Sequence, residues 1–306
     1  MNEHIYIIGS GAVGKVLAVA LQRSGKKVTI IRGSVDDQSK HIERIHVELE
    51  NKTKQEAEIE VNTLSNFSEL KGIIVLTNKS YGNRALANAL KEKVKHSPLV
   101  ILQNGLGVEQ PFIDAHFPEI YRCVLFVTSQ TIGENMLRFK PVSVSPIGII
   151  EGNAVKLNLI VEQLNSPEFT FRAEHNIQTI IWKKAIVNCV FNSICPLLET
   201  DNGIFHRDEN VLAIAKRVIE ECITISSAKG IKLDAKEVIE SLLLISKSSD
   251  GQLISTLQDI RNKRQTEIDT LNFEIVRIAH TLGKEDLVKE TKLLGELVKL
   301  KSELHR

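Results

Sequence analysis

His4 to Ser24 reads HIYIIGSGAVGKVLAVALQRS. Its first five residues have the apolar content of a short buried strand, and Lys15 to Ser24 has the pattern of a helix. Between them stands Gly9-Ser10-Gly11-Ala12-Val13-Gly14. This is a GxGxxG turn with a strand before it and a helix after it, the setting in which that pattern carries meaning. The glycines permit a tight turn, close approach of the backbone to a pyrophosphate, and close packing of helix on strand. The free N–H groups and the dipole of the helix start favour phosphate oxygens. A dinucleotide-binding α/β domain at the start of the chain is therefore expected.

The next strand, Lys27 to Ile31, ends at Arg32, followed by Gly33 and Ser34. At that position an acidic residue would bind the ribose 2′-hydroxyl of NAD, whereas an arginine accommodates the 2′-phosphate of NADP. Asp36 and Asp37 come too late for the usual acidic position, so NADPH is expected over NADH. His46 to Val61 alternates apolar and charged residues as an antiparallel hairpin does, with Asn51 to Lys54 as its turn. Gly72 to Thr77 and Leu99 to Leu102 read as buried strands, separated by a helix over Asn83 to Lys95. Lys79 and Asn104 each follow a strand's carboxyl end, the ligand side of an open α/β sheet. Asn104-Gly105 is also a common turn pair. Arg122 to Thr128 and Val142 to Ile150 read as later strands.

From about Glu174 the signal is helical: Ile177–Leu198, Asn210–Lys229, Ala235–Ile245, Ile254–Leu282 and Glu285–Leu304. The expected fold is an N-terminal Rossmann-type, doubly wound, mostly parallel sheet over residues 1–173. An all-helical domain over 174–306 follows it. The helix from Gln178 to Leu198, QTIIWKKAIVNCVFNSICPLL, is apolar on nearly every side, as buried helices are. Lys184, Asn188 and Asn192 nevertheless recur every four residues and make one narrow polar stripe. Such a stripe is either a half-solvated face or the lining of a pocket for a small polar molecule.

A chain of 306 residues with 42% hydrophobic and 25% charged residues has the composition of a globular protein of two ordinary domains. A net charge of +1 gives no electrostatic footprint for nucleic acid or an anionic membrane. The start of the chain lacks the basic segment and cleavage site of a signal peptide, and no membrane span is expected, so a cytoplasmic location is. Cys123, Cys189, Cys195 and Cys222 form no CxxC pair and have no histidine at ligand spacing. They read as small core residues, and no metal is expected.

The segments IIGSGAVG, TNKSYGN, LQNGLGVEQ, WKKAIVNCVFN, DNG and STLQDIRNKRQTEIDTLN occur in an order and spacing that resemble those of the ketopantoate reductase (2-dehydropantoate 2-reductase) family, over essentially the whole chain. The resemblance implies NADPH-dependent reduction of 2-dehydropantoate to (R)-pantoate, a step towards pantothenate and coenzyme A. It makes Lys184 the proton donor and Asn188, Asn192, Asn202 and Ser255 substrate-binding residues. It places Glu267 by the cofactor and the catalytic lysine, Lys79 and Asn104 at the cofactor and active site, and Arg32 on the 2′-phosphate. The partner is then a small 2-oxo acid, and the chain a monomer or a homodimer. Ser193, Gln252, Phe273 and the segment Gly283 to Asp286 depart from the family's usual pattern. A lysine ammonium, protonated at neutral pH by its ordinary pKa of about 10.4, suits proton donation to an alkoxide. The expected pocket is a cleft between the domains. Alternatives are a reductase of another branched 2-oxo acid on the same scaffold and a non-catalytic NADP(H) sensor.

Overall fold

The computed structural model describes residues 3–33 and 35–305, so Ser34 lies outside the described residues. Two compact units divide the chain, one of residues 1–104 and 108–177, the other of Gly105–Gly107 and the chain from Gln178 onward.

The first unit is built on β1 (Ile5–Ile8), α1 (Ala12–Arg23), β2 (Val28–Arg32), β3 (His41–Leu49), β4 (Lys54–Thr63), β5 (Ile73–Leu76), α2 (Asn83–Val94) and β6 (Leu99–Ile101). It continues through α3 (Gln110–Asp114), β7 (Ile120–Cys123), β8 (Val127–Gly133), β9 (Met136–Pro141), β10 (Ser145–Glu151), α4 (Ala154–Leu164) and β11 (Phe171–Ala173). The strands form one sheet in the order β11-β10-β7-β6-β5-β1-β2-β4-β3-β9-β8. Its centre is parallel: β1 lies between β2 and β5, with Ile8 opposite Ile31 on one side and Leu76 on the other. The chain order reverses at β1, which makes the carboxyl end of this strand the switch point where ligands bind in open α/β sheets.

Alternation along β1 assigns its two faces. Ile5 and Ile7 join the core beneath α1 and α4, while Tyr6 and Ile8 join the core beneath α2 and α3. The hairpin β3–β4 is antiparallel, with Ile45 opposite Ala57. Its first strand begins at His41, earlier than the alternation in the sequence indicates.

The segment expected as one strand over Arg122–Thr128 is two. β7 ends at Cys123, and β8 pairs with β9 at the far edge of the sheet. A link of a few residues spans roughly 10–15 Å, whereas the eight strand spacings from β7 to β8 along a flat sheet amount to roughly 38 Å. The sheet must therefore curl, and it wraps around α1. Leu137 and Phe139 of β9 pack into the same core as α1 and α4, and Phe139 stacks on Phe169 at 5.2 Å.

The second unit holds α5 (Ile177–Leu198), α6 (Ile204–Arg207), α7 (Glu209–Ala228), α8 (Ala235–Ser248), α9 (Ser255–Arg261), α10 (Asn272–Thr281) and α11 (Lys289–Leu304). Asp208 caps α7 by accepting from the N–H groups of Asn210 and Val211, and Asp234 caps α8 by accepting from Lys236. α5 has the length and apolar content of a membrane span, yet 72% of that window is buried inside the protein, as in a core helix. All four cysteines are free and buried, and burial with a hydrogen bond to Cys222 raises the pKa of Cys189.

The single helix expected over Ile254–Leu282 is broken. α9 stops at Arg261, a short 3-10 turn covers Ile268–Thr270, and α10 starts at Asn272. The stop is a Schellman closure. Lys263 takes φ +55°, its N–H donates to the Ile260 carbonyl at 3.0 Å, and the Arg264 N–H donates to the Asp259 carbonyl at 2.8 Å. Arg264 adds an ion pair to Asp259 at 3.1 Å. Glu267 thus lies on a turn rather than on the helix that carries Ser255.

Candidate active site

The glycine turn is shaped by two close approaches. Gly9 has φ +122°, and a Cβ there would lie 2.5 Å from the Asn78 backbone nitrogen. A Cβ on Gly14 would lie 2.1 Å from the Gly9 carbonyl oxygen, so only glycine lets α1 sit this close to β1. Gly11 is different: it is exposed, and a Cβ there would meet nothing within 4 Å. Ser10 is exposed, and Ala12 and Val13 are half-buried. α1 begins with no side-chain cap and no acidic residue in its first turn, which leaves its first N–H groups to an anion. Lys15 turns away from the turn and pairs with Glu43.

Three further groups fit a dinucleotide. Thr77 donates its hydroxyl to the Gly9 carbonyl at 3.0 Å and so fixes the turn from β5. The buried side-chain oxygen of Asn78 has no hydrogen-bond partner, and neither does the buried Nε of Arg32. Asn78 lies beside Gly33, just past the end of β2, where a ribose would be read.

Lys79 is half-buried and Asn104 exposed, each just past a strand end. Behind them stands an amide lattice that the sequence reading missed. Asn83 donates to the Gln103 side-chain oxygen at 2.7 Å and to the Val108 carbonyl at 2.8 Å. Gln103 donates to the Asn83 side-chain oxygen and to the Asn78 carbonyl, both at 2.8 Å. Both side chains are buried, so each bond unmade would cost about 1–3 kcal/mol, and the loops carrying Lys79 and Asn104 are held accordingly. The signal was present, as polar residues directly after apolar strands, but nothing in the sequence showed which of them turn inward.

In the helical unit the polar stripe runs along α5. Lys184 and Asn188 are half-buried, Asn192 is buried, and the flanking Ala185, Ile186, Val187, Cys189, Val190 and Phe191 are core. Of the two adjacent lysines, Lys183 pairs with Glu237 of α8 at 3.2 Å. The Asn192 side chain is heavily used. Its oxygen accepts from the hydroxyls of Thr256 at 2.7 Å and Ser255 at 3.2 Å and from the Thr256 N–H at 3.4 Å. Its amide nitrogen donates to the Asn188 carbonyl at 3.0 Å. Asn192 therefore caps α9 from another helix and aims Ser255, an arrangement that Thr256 completes.

Asn202 is buried. Its N–H donates to the Gln252 carbonyl at 2.9 Å, its carbonyl accepts from Ser246 at 2.8 Å, and its side-chain oxygen is buried with no partner. Arg207 ties this loop down, bonding both oxygens of Asp201 at 2.9 Å and also pairing with Asp250. The Arg207 guanidinium and the N–H groups of Gly203 and Gly251 hold the Asp201 carboxyl down from the usual 3.8 to about 2. Glu267 is half-buried, and its carbonyl accepts from both the N–H and the hydroxyl of Thr270 at 3.1 Å.

The departures from the family pattern have local reasons. The Ser193 hydroxyl donates to the Cys189 carbonyl at 2.6 Å inside the core, and Phe273 packs against Ile260, Ile268 and Val298. Gln252 is exposed and serves the Asn202 loop through its backbone. Among the described residues no group of three or more His, Cys, Asp or Glu side chains is placed to hold a metal ion.

Comparison with known proteins gives a consistent outcome. Residues 5–141 match the family model for ketopantoate reductase PanE/ApbA, and residues 176–302 match that for its C-terminal part. A 2-dehydropantoate 2-reductase of Pyrococcus horikoshii is 29% identical over 98% of both chains. Among solved structures, a PanE/ApbA family ketopantoate reductase from Ralstonia eutropha JMP134 superposes with a TM-score of 0.86 at 23% identity, covering 99% of both chains. D-mandelate dehydrogenase in a ternary structure with NADH and anilino(oxo)acetate superposes at 0.82 and 21% identity, again covering 99% of both. With the glycine turn at the sheet's switch point, the lysine–asparagine stripe on the core helix, and two family models that together span most of its length, the chain belongs to the ketopantoate reductase PanE/ApbA family of oxidoreductases.

Proposed function

We propose that the protein reduces 2-dehydropantoate to (R)-pantoate with NADPH. The activity named for its relatives supports this reading, and so does the chemistry of the side chains. The observation that carries it is the buried, unpartnered side-chain oxygen of Asn202. A buried acceptor without a donor costs about 1–3 kcal/mol, and the substrate's terminal hydroxyl is a donor that relieves it.

When bound, NADPH would supply a hydride for the ketone carbon. The backbone of Gly9 to Gly14 and the start of α1 would hold its pyrophosphate, Arg32 would take the 2′-phosphate, and Lys79 and Asn104 would serve it from the strand ends. As the carbonyl π pair moves onto oxygen, Lys184 stabilises the growing charge and transfers a proton to it, then recovers a proton from water. Asn188 and Asn202 hydrogen-bond the carbonyl and hydroxyl, and Ser255 donates to the carboxylate. Asn192 holds Ser255 in place. Glu267 orients the Lys184 ammonium or the nicotinamide ribose.

Turnover with 2-dehydropantoate against a panel of branched 2-oxo acids, with the product's configuration assigned by chiral chromatography, tests the proposal. (R)-Pantoate as product, with the highest kcat/KM in the panel for its ketone, is the expected result. A higher kcat/KM for an acid lacking the terminal hydroxyl would replace the reading with a different reductase.

A further inference from the structure

Arg32 is not idle. Its Nη2 donates to a side-chain oxygen of Asp37 and to the hydroxyl of Ser39. The same Asp37 oxygen accepts from the Ser39 N–H at 3.0 Å. A guanidinium, a backbone N–H and a hydroxyl together form an anion cradle, and the chain's own carboxylate occupies it. The Ser39 bonds, reinforced by Arg32, hold the Asp37 carboxyl down to about 2, so it is ionised throughout the neutral range. Its neighbour does something else: Asp36 accepts from the N–H and hydroxyl of Ser65 at 3.1 and 2.6 Å and is committed to that loop. Arg32 meanwhile keeps a buried Nε without a partner, at the strand end where the adenosine ribose is read.

We infer that Asp37 sets cofactor choice by competing with the ribose 2′-phosphate for Arg32. The inference rests on reading the glycine turn as the dinucleotide site. A 2′-phosphate seeks the donors that Asp37 now satisfies, and two anions on one guanidinium repel each other. A ribose that carries only hydroxyls has no such conflict, and its 2′-OH can donate to the Asp37 carboxylate. Asp37 comes too late in the sequence to be the acidic residue at the end of β2, but the loop returns it to that place. The chain thus carries both an NADP-type arginine and an NAD-type carboxylate at one ribose. The preference for NADPH that Arg32 confers is held down, and NADH remains usable. Because exposed ion pairs are individually weak, the effect of Asp37 on the affinity ratio is about three- to tenfold.

The experiment is calorimetric binding of adenosine 2′,5′-bisphosphate and of AMP to the full chain, which needs no turnover. Wild type, Asp37→Asn, Arg32→Met and the double variant are compared. Asp37 is exposed, and Asp37→Ala serves as a second test of its removal. The expected result is a rise of about three- to tenfold in the bisphosphate-to-AMP affinity ratio in Asp37→Asn and Asp37→Ala, and no rise when Arg32 is already methionine. An unchanged ratio, or the same rise without Arg32, overturns the inference while leaving the nucleotide site intact. Failure of both nucleotides to bind overturns the inference together with the site itself.

Discussion

Replacing Asn192 with alanine should unfasten the start of α9. The magnitude follows from what is stranded. The Thr256 hydroxyl and N–H lose their acceptor in a residue that is only 2% exposed, whereas exposed Ser255 regains water. A buried donor left unmade costs about 1–3 kcal/mol, and loss of a helix cap about 1 kcal/mol. The N–H bond at 3.4 Å is long and contributes little. The expected loss is therefore about 2–4 kcal/mol. Trp182, the single tryptophan, is buried on α5 and reports unfolding of the helical unit by fluorescence. In urea, Asn192→Ala should unfold at a clearly lower concentration than wild type. Thr256→Val removes the stranded hydroxyl, so the double variant should be milder than the sum of the single ones by about 1–2 kcal/mol. An unchanged midpoint for Asn192→Ala, or strict additivity, would refute the capping role. Catalysis should follow the same line: a freed Ser255 raises KM for the 2-oxo acid more than it lowers kcat.

Lys184→Ala should lower kcat by about 10²- to 10⁴-fold while the NADPH dissociation constant, read from nicotinamide fluorescence, stays within error. Retained turnover would remove Lys184 from proton donation. Gly14→Ala forces a Cβ to 2.1 Å from the Gly9 carbonyl oxygen, so α1 must lift from β1 and NADPH affinity should fall about tenfold or more; an unchanged affinity contradicts the packing described. The Asp201 carboxyl is depressed in the folded chain, so its contribution is present above about pH 4 and is lost as pH falls towards about 2. The gap in urea midpoint between wild type and Arg207→Met should accordingly be constant from pH 7 down to about 4 and close below it, and a gap that persists at pH 2 would assign the stabilisation elsewhere.

How much of this was legible in the sequence depended on where the deciding interaction lies. The glycine turn and α5 were readable because local chemistry determines them: three glycines between a strand and a helix, and apolar residues on all sides of one stripe. The break after α9 was not, because a Schellman stop usually shows itself by glycine and here the left-handed position holds Lys263. β11 escaped because it has only three residues, and β9 because part of its pairing comes from β3, which is distant in sequence. The α4 helix was missed as well, although its cap, Asn153, which accepts from the Lys156 N–H at 2.9 Å, is a residue type that commonly starts helices. At the site, residue types were legible but side-chain contacts were not. Asn192 reads as a polar residue of a helix stripe, and only the structure puts Thr256 on its oxygen; Asp37 reads as coming too late for the acidic position, and only the structure puts it on Arg32.

The central claim is that this chain moves a hydride from a nicotinamide to a 2-oxo acid and that Lys184 completes the reduction. The most direct measurement is a stopped-flow trace of NADPH fluorescence on mixing the NADPH-loaded protein with 2-dehydropantoate. A rapid decay is expected in wild type, with pantoate formed in equal amount, and a trace slowed by orders of magnitude in Lys184→Ala. NADPH that stays bound and reduced in the wild-type protein would contradict the claim.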